Sequence, residues 1–356
     1  MRIPRRWRSR YCCRVGEAKS EAAPRRPVTL TDVARRAGVS QPTASRVLNG
    51  SARTVADSYR RRVLDAAREL GYTPNLAAQV IARGTSRTIA LVISGISDPY
   101  FSAMASELMK QAAEYGMRVS IAVTDRRVDR ELELVRELRG QQPQAIVLAG
   151  TGYVDPPNGD ELVAELRRFE ETGGRVVLIS RTDLPFETVT FDNREGAREL
   201  AAELTTLGYR RALVLGSATP LLSMQQRVDG FVEGFGGETA VAYPEFSWEG
   251  AREHIRSLPD DELANIQLVF AITDDMALGA IAGLRDRGRR IPQDVAVAGF
   301  DDITTLRDVV PALTTVHVPL DQVADETVRR ALDGDAGGRT VPAHPVIRAS
   351  TPPVRR

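Results

Sequence analysis

Only two of the 356 residues are cysteine, and Cys12 and Cys13 stand side by side. No disulfide framework can be drawn from such a pair, and a reducing compartment fits it. Histidine is nearly as scarce: His254, His317 and His344 lie far apart in the chain. No HExxH, CxxC, GxSxG or GxxxxGK(S/T) signature occurs, which leaves no motif for zinc hydrolysis, thiol redox chemistry, a serine nucleophile or a phosphate cradle. A lone GxG at Gly150 and Gly152 is weak evidence for a nucleotide. No catalytic residue, metal ligand or cofactor is therefore expected. No apolar run is long enough to cross a bilayer or to serve as a secretory h-region, so the expectation is a cytoplasmic protein without membrane contact. Lysine occurs only as Lys19 and Lys110, the other basic residues being arginine. That bias reflects a GC-rich genome more than a mechanism. A net charge of +1 announces no polyanionic partner by itself.

The charge is nevertheless segregated. Arg46, Arg53, Arg60, Arg61, Arg62, Arg68 and Arg83 crowd the N-terminal part, while acidic residues concentrate later. Basic groups placed together in this way can neutralise phosphates. Residues 1–26 read as a basic, disordered arm, or as the product of a start codon set too early. From Val28 to Gly50, VTLTDVARRAGVSQPTASRVLNG reads as two short helices meeting at a glycine turn. Thr29 and Asp32 form a carboxylate variant of the capping box. Val33, Ala34 and Ala37 make a small apolar face, Gly38 ends the first helix, and Val39 packs into the angle. Ser40 caps a second helix that tolerates Pro42 in its first turn. Its outer face carries Gln41, Thr43, Ser45 and Arg46, groups suited to base edges and phosphates in a major groove. A helical hairpin with a merely solvated face is the alternative. Val63, Leu64, Ala67 and Leu70 then repeat at helical spacing, predicting a third helix that closes the core. Gly71–Asn75 stops it, and Leu76–Gly84 offers a short helical linker.

From Arg87 the pattern changes to apolar runs at 88–94, 118–124, 144–150, 175–180, 211–217, 268–273 and 294–300, separated mostly by amphipathic helix-length segments. Continuous apolar strands alternating with helices predict parallel sheets covered on both faces.

The order and the motifs TLTDVARRAGVS, TASRVLNG, GYTPN, DDMALGA, VAVAGFDD and LTTV resemble the LacI-type family of bacterial transcription regulators. The resemblance runs from about Val28 to the C-terminus. It implies an α-helical helix–turn–helix DNA-binding domain (27–74), a hinge helix or linker (75–86) and an α/β core (87–356) that binds an effector and dimerises. The core would consist of two periplasmic-binding-protein-like subdomains with doubly wound parallel sheets. Subdomain 1 would hold about 87–185 and 317–342, and subdomain 2 about 187–316 and 343–356. A homodimer would bind a near-palindromic double-stranded operator. Gln41 and Pro42 occupy the family positions that choose operator bases, and Arg46 matches the arginine that contacts guanine. Thr29, Ser40, Thr43, Ser45, Asn49 and Asn75 would join them at the DNA, mostly on phosphates. Ala77, Ala78 and Ile81 match the hinge helix, where Ile81 replaces a common leucine and would wedge into the minor groove.

Ligands of open α/β sheets sit beyond the carboxyl ends of the strands, so those ends are the places to read. Tyr100 and Phe101 follow the first strand and can stack on a sugar or a base. Arg181 follows the fourth, and Arg227 aligns with the family arginine that reaches ligand hydroxyls or carboxylates. Phe246 or Trp248 supplies another ring. Asp274 and Asp301 are the expected acidic ligand groups, Asp275 and Asp302 the expected caps. Departures from the pattern are Asp274 where an asparagine is common, Ser180 where an aspartate is usual, and Val318 beside His317. The acidic lining leans toward a polyhydroxy or amine-bearing effector, most simply a sugar or its derivative. Without a C-terminal heptad zipper the expected oligomer is a dimer, and an inducer is the commoner sign of control, a corepressor or protein partner the alternative. A solute-binding receptor and a doubly wound enzyme are the readings from other classes.

Overall fold

The computed structural model describes residues 26, 28–49, 55–73, 86–150, 152–334 and 340–354, without the side chains of Asn49 and Arg307. The expected arm up to residue 25, together with Asn75, Ala77, Ala78 and Ile81, lies outside them. The chain divides into two compact units, Met1–Gln79 and Val80–Arg356.

Among the described residues the first unit has three helices, α1 (Leu30–Ala37), α2 (Gln41–Asn49) and α3 (Asp57–Leu70). Thr29 begins α1 with both halves of a capping box: its hydroxyl accepts from the Asp32 N–H, and the Asp32 carboxylate accepts from the Thr29 N–H at 3.0 Å. Gly38 ends it in the left-handed region at φ 63°, where a side chain would be strained. Ser40 caps α2, its Oγ accepting from the Thr43 N–H at 3.3 Å. Arg62 of α3 donates to the carbonyls of Ala37 and Gly38, so this arginine fastens the turn. The core is built from small residues, among them Val33, Ala34, Ala37, Ala44, Val63, Ala66 and Ala67. Leu64, expected in that core, is 37% exposed, and Ala66 takes the inward position. The helix turns its Val63–Ala66–Ala67–Leu70 stripe inward, leaving Leu64 just past its edge.

The second unit contains β1 (Thr88–Ile93), α4 (Pro99–Glu114), β2 (Arg118–Val123), α5 (Val128–Gly140), β3 (Ala145–Ala149), α6 (Gly159–Glu171), β4 (Arg175–Ile179) and β5 (Glu187–Phe191). There follow α7 (Asn193–Thr206), β6 (Arg211–Leu215), α8 (Leu222–Gly234), β7 (Glu238–Ala242), α9 (Trp248–Ser257), α10 (Asp260–Asn265), β8 (Leu268–Ala271), α11 (Asp274–Asp286) and β9 (Ala296–Ala298). Last come β10 (Thr315–His317), α12 (Leu320–Asp333), β11 (Thr340–Val341) and β12 (His344–Val346). One sheet has the order β11-β5-β4-β3-β1-β2, a second β7-β6-β8-β9, and all their pairings are parallel. Alternate residues of β1 show why both faces need helices. Ile89, Leu91 and Ile93 pack on the side of Met104 and Leu108 of α4, whereas Ala90 and Val92 pack with Val135 of α5 and Leu166 of α6.

The boundary between subdomains falls after β5, not before it: Val177–Ile179 pair with Glu187–Val189, so residues 187–191 belong to the first sheet. The chain passes between the subdomains after β5, after β10 and after β11. β10 and β12 pair antiparallel at the crossing, with His317 opposite His344. In the second subdomain the helices approach very closely. A Cβ on Gly230 would press into the Arg194 carbonyl and one on Gly234 into the Arg198 carbonyl, which seats α8 on α7. Gly279 does the same for α11 against the Trp248 carbonyl of α9.

Candidate effector cleft and DNA-reading face

The strands of both sheets end at one cleft. Beyond β1 lie Ser94 and Asp98, beyond β4 Ser180, and beyond β8 and β9 Thr273 and Asp301; all line an inner cavity of about 40 Å³. That is room for roughly three waters at 10–15 Å³ each. An outer chamber of about 310 Å³ shares Ser94 and Asp98 with it and adds Asp125, Arg126, Trp248 and Asp275. The lips are closed by backbone hydrogen bonds between the subdomains: Val154 N–H to Pro220 C=O at 2.9 Å and Leu222 N–H to Gly152 C=O at 3.0 Å. Arg126 donates to the Phe246 carbonyl across the mouth, with its guanidinium 4.5 Å from the Phe246 ring centroid. Several non-glycine residues here hold left-handed backbone: Asp125, Arg126, Ser180 and Asp301, the last at φ 121°. Such strain persists where surrounding contacts over-determine it, and it clusters at ligand sites.

Arg227 forms the floor and is 2% exposed. Its Nε donates to Asn193 Oδ1 at 2.8 Å, while Nη1 donates to the Ile272 carbonyl at 2.7 Å and to Asp301 Oδ1 at 2.9 Å. The guanidinium also lies 3.8 Å from the Phe300 ring centroid. Arg227 and Asp301 both line the inner cavity, so a guanidinium donor and a carboxylate acceptor stand side by side in its wall. Asn193 passes the contact on, donating to Ser180 Oγ at 2.7 Å.

Burial pushes the Asp301 carboxyl up to about 7, with Arg227 pulling it down and Asp98 pushing it further up. Asp98 and Asp275 are raised as well, chiefly by burial. Asp301 thus holds its proton more tightly in the folded chain than its ordinary value of 3.8 allows in the unfolded one. Its contribution to stability is in place below 3.8 and is lost as pH rises through about 7. Melting temperature is therefore expected to rise on going from neutral to mildly acidic buffer, and Asp301→Asn to flatten that dependence. A variant whose melting curve tracks the parent across the same window would refute the assignment.

Of the residues expected at the effector, Tyr100, Phe101, Arg227, Phe246 and Asp301 lie in the inner wall. Arg181 and Asp274 do not, which corrects the sequence reading. Arg181 turns into the first subdomain, bridging Glu131 at 2.9 Å and Asp183 at 3.0 Å. Asp274, fully buried, accepts from Thr315 Oγ1 at 2.6 Å and from the Ile303 N–H at 3.0 Å, pinning the 299–303 loop to α11 and β10. It is held well above the usual carboxylate range by burial and by Asp301. The cap of α11 is Thr273, and Asp275 lines the outer chamber. Asp302 joins His317 at 2.9 Å and Arg348 at 2.6 Å. Gly150 and Gly152 make room for the Phe101 ring and the Arg181 stem, not for a phosphate. Asp98, Arg126 and Asp275 are the wall residues that strand-end reasoning passed over. Asp98 was visible as the cap before Pro99.

In the first unit, Gln41, Pro42 and Arg46 are exposed on α2, Thr43 and Ser45 are half-buried, and Thr29 and Ser40 are occupied as caps. Ala44 buried beneath them fixes which way the helix faces.

A helix–turn–helix module and a two-lobed receptor with a polar-floored cleft define a ligand-responsive, DNA-binding transcriptional regulator. The model of bacterial regulatory proteins of the lacI family matches residues 29–75, and that of a periplasmic binding protein-like domain matches 201–356. The HTH-type transcriptional regulator CelR of Thermobifida fusca is 30% identical over 334 residues, covering 91% of this chain and 96% of that one. GalS of Salmonella typhimurium is 33% identical over 319 residues, 87% of this chain and 91% of that one. A solved CelR–cellobiose complex aligns at TM-score 0.63 with 29% identity, over 91% of this chain and all of that one. The lac repressor dimer bound to operator and the anti-inducer ONPF aligns at TM-score 0.80 with 24% identity, over 92% and 100%. The chain belongs to the LacI family of bacterial regulatory proteins. Among the described residues no helix is long and apolar enough to cross a membrane.

Proposed function

We propose that this protein is a repressor that binds a near-palindromic operator as a homodimer and releases it when a small sugar-like effector occupies the cleft, with no catalytic step. The observation that carries the effector half is the buried Arg227–Asp301 pair at the floor of a cavity walled by Tyr100 and Phe246. A donor beside an acceptor matches vicinal hydroxyls, and rings stack on a sugar face. The relative solved as a complex with cellobiose supports the same class of ligand. The DNA half rests on Gln41 and Arg46, exposed together on α2, with Thr29, Ser40, Thr43, Ser45 and Asn49 positioning the module on phosphates. Asn75, Ala78 and Ile81 would complete the contact from the hinge, Ile81 as a minor-groove wedge. Met109 on α4 and Tyr115 just beyond it are exposed and offer part of a dimer face. Affinities at the two ends are then coupled reciprocally, typically by about 1–3 kcal/mol.

Footprinting on genomic fragments, with and without a panel of neutral and modified sugars, tests this. An inverted repeat protected by the protein and released by one sugar is the expected result. Absence of any protected inverted repeat at low salt would sink the DNA half, and release by a nucleobase alone would sink the effector half.

A further inference from the structure

We propose that the effector carries a protonated amine, seated in the outer chamber against Asp98, Asp275 and Glu249 and the Trp248 ring, while its hydroxyls meet Arg227 and Asp301 in the inner cavity. This rests on the reading of the cleft as a site for a hydroxylated effector. Two chambers sharing the Ser94 and Asp98 wall make one continuous seat with two different chemistries. The inner cavity balances its buried Asp301 against Arg227, both at least nine-tenths buried, as a neutral polyol requires.

The outer chamber is not balanced. Asp98, Asp125, Glu249 and Asp275 line it, and among the described residues Arg126 is the one guanidinium there. Arg126 is itself spread over three partners: the Phe246 carbonyl, the Phe246 ring and Asp98 Oδ2 at 3.6 Å. Asp98 Oδ1 is taken by the Tyr100 N–H at 3.0 Å. Burial raises Asp275 most; Asp98 and Glu249 push it further up, against Arg126 and a hydrogen bond from the Trp248 backbone, so the carboxylates of this chamber disfavour one another. A cation placed among them relieves that repulsion, whereas a neutral group leaves it standing. Trp248 lines the same chamber, and its ring already attracts a cation, the Arg252 guanidinium at 5.5 Å. Ring and carboxylates together suit an ammonium group. A carboxylate or phosphate on the effector would face four carboxylates there against the single Arg126 guanidinium.

Calorimetry on the full chain near neutral pH, with sugars offered as matched triplets, decides the matter: the neutral sugar, its 2-amino-2-deoxy counterpart and the N-acetylated form. At least one free amine is expected to bind about tenfold tighter than both of its partners. That advantage should shrink as salt is raised from about 0.05 to about 0.5 M. In Glu249→Gln and Asp275→Asn the amine should fall toward the affinity of its neutral counterpart. Neutral or N-acetylated sugars binding as well as the amine would overturn the inference and leave the sugar-responsive reading standing. Failure of every member of every triplet would overturn both.

Discussion

Replacing Arg227 by alanine is expected to lower the unfolding free energy by about 3–5 kcal/mol, the usual cost of leaving one partner of a buried ion pair alone. Three acceptors lose their donor at once: Asn193 Oδ1, the Ile272 carbonyl and Asp301 Oδ1. Asp301 then sits buried with no cation beside it. Mild acid should restore part of the loss, because protonating Asp301 removes the uncompensated charge. Arg227→Lys should fall between, since a point charge cannot reach all three acceptors in the directions a guanidinium fork covers. At permissive temperature the alanine variant is expected to protect the same operator and to ignore the effector. Denaturant unfolding at two pH values, followed by footprinting with effector, checks both halves. An alanine variant as stable as the parent, or still released by effector, would mean that this pair is neither the keystone of the floor nor a ligand contact.

Arg46→Ala is expected to weaken operator binding by about 1–3 kcal/mol, roughly five- to 150-fold, the worth of one bidentate arginine–guanine pair. The fold should be untouched, because Arg46 is exposed while Ala44 and Val47 supply the packing. A base contact also leaves a different signature from a phosphate contact: discrimination at one base pair relaxes, whereas losing a phosphate contact weakens all sequences alike. Binding titrations on operators varied one base pair at a time distinguish the two. Uniform weakening across the whole set would assign Arg46 to the backbone.

Much of the architecture was legible because the chain follows local rules closely. The Thr29–Asp32 capping box, the left-handed Gly38 and the Ser40 cap specify the first two helices from a dozen residues. Six of the seven apolar runs are strands whose two-sided burial leaves no room for alternation, whereas β2 lies at the sheet edge and is half-buried to exposed. Among the strands outside those runs, β5 and β7 are short, carry threonines and a glutamate, and have exposed or half-buried positions. Their identity comes from pairing, with Val177–Ile179 for β5, and pairing is not local.

The cleft was legible only in part. Strand-end residues do line the cavity, but which of two adjacent aspartates faces it depends on helix phase. Thr273 takes the cap, so Asp274 turns back toward Thr315 and Asp275 turns outward. Arg181 was misplaced for a similar reason, since Glu131 lies fifty positions away and draws it inward. Arg126 had no signal, because its contact with Phe246 exists only once two subdomains meet.

The three passages of chain between the subdomains have a mechanical consequence. A single tether would allow the halves to swivel; three passages, two of them joined by the antiparallel pairing of β10 with β12, resist torsion and leave bending as the soft motion. The jaws should therefore open like a door on one axis. A protease that nicks any one passage should yield two fragments that still migrate as one particle, held by the remaining two.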